Sequence, residues 1–221
     1  DLRIKEVGYS GSGKSGTRRM TVQPKIIRDL TTKNSCKSLT KKSVFLVSGG
    51  ARGVTAECVV KLAQTQPCSF ILLGRSNIED EPEWAKGVGK DKTKLKQAAM
   101  KSMVDSGEKP TPAKVNQLVV KVEAGRDIQK NLERIRNAGG NAEYVSADVT
   151  DVKKLKTAIA AVVKKIGPVT GIIHGAGVLA DKLIEKKTSD DFDAVCSTKI
   201  NGMDALLKSI NPKNLTHLLL F

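Results

Sequence analysis

The sequence predicts an α/β fold: a Rossmann-like doubly wound parallel sheet with an inserted helical segment and an irregular N-terminal lead-in. Three observations predict it. Short apolar runs of β-type residues alternate with stretches whose apolar residues recur at helical spacing, the order of successive βαβ units. The strand runs are almost continuously apolar, as in strands covered on both faces. The first of them breaks into a glycine-rich turn, Ser48-Gly-Gly-Ala-Arg-Gly53, that passes directly into a helical pattern.

Residues 1–42 are rich in Lys, Arg, Ser, Thr and Gly and read as a lead-in or the end of a preceding domain, with one short strand at 18–22 stopped by Pro24. Residues 43–221 read as a single nucleotide-binding unit. A strand at 44–47, the glycine turn, a helix at 54–64 and a strand at 69–73 ending in Gly74-Arg75-Ser76 make its first βαβ. Residues 77–124 turn polar and read as an inserted helical excursion. They hold Glu81-Pro-Glu-Trp84, a lysine-rich helix at 92–103 and the breaker Gly107-Glu-Lys-Pro-Thr-Pro112. Regularity returns with a helix at 127–137, where Ile128, Leu132 and Ile135 keep helical spacing and Gly139-Gly140 is the stop. A strand at 142–147 runs into Asp148-Val-Thr-Asp151, a capping sequence for a helix at 152–166 that Gly167-Pro168 ends. A strand at 169–174 leads to Gly175-Ala-Gly177, a long helix covers 190–210, and 215–221 closes the series as a buried strand. Right-handed crossovers place the loops after these strands along one carboxyl edge. Residues 48–53, Arg75, Asp148 and 174–177 therefore converge on one cleft.

At 221 residues, with 39% hydrophobic and 28% charged, the chain is long enough to bury a substantial core. No apolar run approaches the roughly 20 residues of a membrane helix, and the first residues lack the apolar stretch of a signal peptide. The expectation is a cytoplasmic protein without a membrane span. Cys36, Cys58, Cys68 and Cys196 stand without a C-x-x-C pair, which fits reduced structural thiols and offers no metal site. A net charge of +15 attracts polyanions, yet aromatics at 3% leave almost no stacking platforms for single strands, so nucleic acid is not expected. Two readings of the charge remain: a solvated lysine-rich surface, and a docking face for an acidic protein.

The glycine turn follows T-G-x-x-x-G-x-G, with Ser48 for the Thr and Thr55 for the last glycine. It reads as a phosphate cradle at a helix N-terminus, the bland alternative being a tight βα turn without ligand. Arg75 ends the second strand of the unit, where an acidic residue would bond a ribose 2′-hydroxyl and an arginine accommodates a 2′-phosphate; with Arg52 it points to NADP(H) over NAD(H), against two solvated arginines. Asp148 is either an acceptor for an adenine amino group or only a helix cap. Gly8-Tyr-Ser-Gly-Ser-Gly-Lys-Ser15 matches the P-loop letter for letter, but neither a buried strand before it nor a helix after it is legible. His174 and His217 have no partner at metal-ligand spacing. By periodicity Lys182 and Lys199 are surface residues.

Together these residues resemble the short-chain dehydrogenase/reductase superfamily and, within it, the ketoreductase domains of modular polyketide and polyunsaturated fatty acid synthases. The resemblance runs from 44 to 221. Its most specific part is His174-Gly-Ala-Gly-Val-Leu-Ala-Asp-Lys-Leu-Ile184 followed by Ser197-Thr-Lys-Ile-Asn-Gly202, and the insertion looks most like the polyunsaturated fatty acid synthase version. The resemblance implies Ser48, Gly49, Gly50, Arg52, Gly53 and Val54 around a pyrophosphate, and Arg75 with Ser76 at the 2′-phosphate of NADP(H). It implies Asp148 and Val149 at the adenine, and Gly175, Ala176 and Gly177 at the nicotinamide-side ribose. Lys199 looks like the family's catalytic lysine, which bonds the ribose and lowers the pKa of a tyrosine that protonates the ketone. Asp181 resembles the L-x-D marker of a D-configured 3-hydroxy product, with Ala180 in place of the usual middle Asp. The implied reaction is NADPH-dependent reduction of 3-ketoacyl thioesters in fatty acid or polyketide synthesis, with acidic acyl carrier protein domains and other synthase domains as partners. The alternative is a non-catalytic dinucleotide-binding or scaffolding module. The family's catalytic Ser, Tyr and Asn fall beyond Phe221, and Tyr9 and Tyr144 stand elsewhere, so these 221 residues by themselves are expected to lack the general acid.

Overall fold

The computed structural model describes residues 7–11, 17–21 and 38–221, in two units, Asp1–Cys36 and Lys37–Phe221. In the first, β1 (Val7–Gly11) and β2 (Thr17–Thr21) pair antiparallel, with Val7 opposite Thr21 and Gly11 opposite Thr17. The strand expected at 18–22 is β2. The P-loop-like run at 8–15 thus begins inside one strand and is followed by another, where phosphate binding needs a helix. Lys14 and Ser15 lie outside the described residues, as does Cys36.

The second unit is built on five parallel strands: β3 (Val44–Ser48), β4 (Ser69–Gly74), β5 (Asn141–Ser146), β6 (Gly171–His174) and β7 (His217–Leu220). Their order is β5-β4-β3-β6-β7, with Val47 opposite both Leu72 and Ile173. The helices are α1 (Gly53–Thr65), α2 (Lys92–Asp105), α3 (Pro112–Asn137), α4 (Val152–Ile166), α5 (Ser189–Cys196) and α6 (Gly202–Ser209). Because strand side chains alternate between faces, each apolar run feeds two cores. Phe45, Val47, Phe70 and Leu72 pack against Val59, Val60 and Ala63 of α1 and Ile128, Leu132 and Ile135 of α3. Val44, Leu46, Ile71 and Leu73 face the other way, onto Leu155 and Ile159 of α4 and Ala205 and Leu206 of α6. This is the doubly wound α/β arrangement that the continuous strand hydrophobicity predicts.

Three expectations change. The helix expected from residue 127 begins at Pro112, so that the proline-rich run read as a breaker is a start signal. Thr111 accepts from the Lys114 N–H at 3.3 Å, and Pro112 at the first helical position has a fixed φ and no N–H to leave unpaired. The extra turns bury Val115, Val119 and Val122 against Leu95, Ala99 and Met103 of α2, with Trp84 packed alongside, which gives this segment a core of its own. Second, the long helix expected over 190–210 is α5 and α6 joined by a π turn, Ser197–Asn201. Third, β7 pairs with β6 and, among the described residues of this span, with no further strand, which leaves Leu218, Leu219, Leu220 and Phe221 41–65% exposed in residues 1–221; their apolar composition suits a strand that is covered. Among the described residues no helix is long and apolar enough to cross a membrane.

Candidate functional site

In the order β5-β4-β3-β6-β7 the chain reverses direction between β3 and β6, and the loops leaving these two strands diverge to opposite faces. A crevice opens at such a point, outside the carboxyl ends of the strands. Here it is a cleft of about 610 Å³ whose wall includes Ser48, Gly49, Arg52, Arg75, Ser76, Asp148, Val149, Gly175, Ala176 and Gly177. It gathers the ends of four strands, and Ser48 on its wall is hydrogen-bonded to the buried His174, 126 positions away in sequence. Gly50, Gly53, Val54 and Lys199 stand off its wall.

Local geometry explains the glycines. Gly49 has φ 69°, and a Cβ there would lie 2.9 Å from Ala176 N and from the Gly175 carbonyl, so the two loops touch through backbone. Gly50 packs the turn onto β3, since its Cβ would meet Val47 Cγ1 at 2.3 Å. Thr55, standing where the pattern has its last glycine, is buried, and Gly175 makes the room for it: a Cβ on Gly175 would lie 2.2 Å from Thr55 Oγ1. Gly53 opens α1, and the Val54 side chain is exposed. α1 begins at Arg52 without any side-chain cap, whereas Asp91, Thr111, Asp151 and Thr188 cap α2, α3, α4 and α5. The first N–H groups of α1, next to Arg52 on the cleft wall, are therefore left without a side-chain acceptor, their anion-binding capacity unspent.

At the β4 end, Arg75 is exposed and forms no ion pair among the described residues. Asp148 Oδ1 accepts from the Thr150 N–H at 2.8 Å and from its hydroxyl at 2.7 Å. These bonds, helped by the positive charge of Arg75, hold the carboxyl below the usual carboxylate range. The helix cap is Asp151, which accepts from the Lys154 N–H at 3.0 Å. Of the two readings of Asp148, the capping one is thereby removed.

Sequence reading missed a buried chain of hydrogen bonds through His174. The Ala176 N–H donates to Ser48 Oγ at 3.2 Å, Ser48 Oγ lies 2.6 Å from His174 Nδ1, and His174 Nε2 lies 3.0 Å from the Lys199 carbonyl oxygen. A carbonyl only accepts, so Nε2 carries the proton, and Nδ1 accepts from the Ser48 hydroxyl. Burial pushes the imidazole below its ordinary value of 6.5, which favours this neutral form. The signal in the sequence was two polar residues, Ser48 and His174, each ending an apolar strand. The carbonyl that His174 engages lies within the π turn, a distortion that recurs at functional sites. Lys199 Nζ donates to the Phe221 carbonyl oxygen at 2.6 Å and lies near Gly177. Asp181 is exposed. The next residue, Lys182, pairs with Asp191 at 2.8 Å, and this contact with the Thr188 cap takes Asp191 down to about 2. Among the described residues no cluster of His, Cys, Asp and Glu is arranged to hold a metal ion.

Comparison with known proteins places this geometry. Residues 43–221 match the family model of the KR domain. The chain is 36% identical over its whole length to a polyunsaturated fatty acid synthase polypeptide of Thraustochytrium sp., of which it covers 8%. It is 23% identical over 81% of its length to the polyketide synthase PksM of Bacillus subtilis, of which it covers 3%. Among solved structures, the N-terminal ketoreductase of a macrolactin assembly line superposes with a TM-score of 0.57 at 22% identity, over 92% of this chain and 30% of that one. A ketoreductase domain of the bacillaene assembly line gives 0.54 at 21% identity, over 81% and 32%. Carveol dehydrogenase of Mycobacterium avium, solved with NAD, gives 0.51 at 18% identity, over 78% and 49%. With the family model covering all five parallel strands and every loop of the cleft, this chain belongs to the KR, or ketoreductase, domain family.

Proposed function

We propose that this domain binds NADPH for the reduction of 3-ketoacyl thioesters on an acyl carrier protein to 3-hydroxyacyl thioesters, as one part of a cytoplasmic fatty acid or polyketide synthase. The observation that carries the reading is Arg75, exposed on the cleft wall and free of ion pairs among the described residues, at the strand end where dinucleotide folds read the ribose 2′ position. The cradle fits the rest of such a cofactor. A side chain at Gly49 would fill the space where the two loops meet, and the uncapped start of α1 suits a pyrophosphate. Bound there, NADPH supplies the hydride. Ser48, Gly49, Gly50, Arg52, Gly53 and Val54 would hold its pyrophosphate, Ser76 would flank the 2′-phosphate, Asp148 and Val149 would meet the adenine, and Gly175, Ala176 and Gly177 the second ribose. Lys199 would bond that ribose, its backbone located by His174. The free thiols of Cys58, Cys68 and Cys196 agree with a reducing compartment.

The one tyrosine of this unit, Tyr144, belongs to edge strand β5 and donates to the Ser76 carbonyl oxygen at 2.7 Å, on the Arg75 side of the cleft. It is not placed to protonate a ketone beside Lys199. These residues taken alone are therefore expected to bind cofactor without turnover; the second reading is a non-catalytic dinucleotide-binding module.

A side-by-side titration with NADPH and NADH, repeated on Arg75→Ala, tests the proposal. One charge-assisted arginine–phosphate contact is worth about 1.5–3 kcal/mol, so NADPH is expected to bind roughly 10- to 100-fold more tightly than NADH, and the variant to lose that margin. Equal affinities in the unaltered protein would refute it. For the carrier partner, Lys153, Lys156 and Lys164 on α4 are exposed and lie outside the ion pairs that engage Lys154 and Lys165. Lys153→Glu with Lys156→Glu is expected to weaken binding of an acidic carrier protein several-fold at low ionic strength, the difference fading by about 0.5 M salt. Unchanged affinity would leave the lysines as a solvated surface.

A further inference from the structure

We propose that Tyr144 and Ser146, at the end of β5, are positioning residues that set the preference for a 2′-phosphorylated dinucleotide by clamping the backbone on either side of Arg75. The proposal rests on the NADP(H) reading above. β5 pairs with β4, placing Tyr144 opposite Leu72 and Ser146 opposite Gly74. Past Gly74 the chain leaves the sheet as Arg75-Ser76-Asn77, and a strand-end loop of this kind is mobile unless something ties it down.

β5 ties it at successive residues. The Ala147 N–H donates to the Gly74 carbonyl at 2.9 Å. Ser146 Oγ lies 2.6 Å from Asn77 Oδ1 and 3.4 Å from the Arg75 carbonyl oxygen. Tyr144 reaches furthest, donating to the Ser76 carbonyl oxygen at 2.7 Å. It reaches because residue 74 is glycine: a Cβ there would lie 2.7 Å from the phenol oxygen. Gly74 and Tyr144 are thus a matched pair, one giving up its side chain so that the other can cross the strand end. Burial pushes the phenol above its ordinary value, so it remains a donor throughout the physiological range.

The clamp holds main chain at Gly74 and Ser76 and the Asn77 side chain, and leaves the Arg75 side chain untouched. The Arg75 guanidinium stays uncommitted while its Cα is located, and a fork whose backbone is already ordered loses less entropy when it closes on a phosphate. The adenosine half common to both cofactors does not depend on this ordering, so loosening the clamp selectively weakens the phosphorylated one.

The test measures NADPH and NADH dissociation constants for the unaltered protein, Arg75→Ala, Tyr144→Phe, Gly74→Ala and the Gly74→Ala/Tyr144→Phe pair, with thermal melts alongside. Tyr144→Phe is expected to weaken NADPH about three- to tenfold, the worth of one neutral hydrogen bond, and to leave NADH within about twofold. Gly74→Ala should do the same by displacing the phenol, yet add little in the Tyr144→Phe background, because both remove one contact. A generally destabilised domain would weaken both cofactors together and show additive losses. If the unaltered protein prefers NADPH and Arg75→Ala abolishes the preference, but Tyr144→Phe and Gly74→Ala leave the ratio intact, the clamp is overturned and the cofactor reading stands. If the unaltered protein has no preference for NADPH, both fall.

Discussion

Gly49→Ala is expected to lower stability by about 2–5 kcal/mol and to abolish nucleotide binding. Two penalties add at this position. Its φ of 69° is left-handed, which costs an L-residue roughly 1–2 kcal/mol, and the new methyl group would sit 2.9 Å from Ala176 N and from the carbonyl of Gly175. These are main-chain atoms that cannot rotate aside. Forcing them apart is an overpacking strain of about 1–3 kcal/mol, and it moves the two loops that frame the cleft. In a domain of this size the melting temperature should fall by roughly 2–4 °C per kcal/mol. Gly53→Ala is the internal control, because Gly53 has a φ of 68° but nothing within 4 Å of its added Cβ. It should show the conformational penalty alone. If the two variants melt together, the close approach of the loops is not what Gly49 provides.

His174→Ala is expected to be nearly as severe, at about 3–5 kcal/mol, because it strands two groups at once. The buried Ser48 hydroxyl loses its acceptor, the Lys199 carbonyl loses its donor, and the imidazole leaves a cavity. The same residue gives a pH dependence of definite sign. Burial depresses the folded pKa below the ordinary 6.5, so on acidification the unfolded chain takes up the proton first. The contribution of neutral His174 is present in full above about pH 6.5 and is lost as pH falls through the folded value. Melting temperatures between about pH 8 and about pH 5.5 should therefore decline in the unaltered protein more steeply than in His174→Gln. His217 is common to both and cancels in the difference, and the depressed carboxylates Asp148 and Asp191 lose their contributions at lower pH. Parallel profiles would mean that the imidazole is not held neutral by this chain of bonds.

Much of the site was legible because it is written in backbone requirements. A glycine at 49 and an arginine immediately after a strand carry their meaning at short range, and the cleft wall holds both. Asp148 shows the limit of local reading: a carboxylate before a helix is ambiguous until the bonds are drawn, and Asp151 proves to be the cap. The start of α3 was misread for a related reason, since Thr111-Pro112 serves as well to begin a helix as the prolines do to end one. What decided it was the apolar face of α2 waiting for Val115, Val119 and Val122.

By itself the sequence determined the order of strands and helices, the parallel sheet, the glycine turn and the placement of charge at the strand ends. Each of these follows from periodicity or from the conformational needs of single residues. Only the tertiary structure decided that Ser48, His174 and the Lys199 carbonyl form one hydrogen-bonded chain, and that Tyr144 crosses a missing side chain at Gly74 to reach Ser76. Those contacts join residues 25 to 126 positions apart, and no pattern along the chain encodes which polar groups will meet once folding removes them from water.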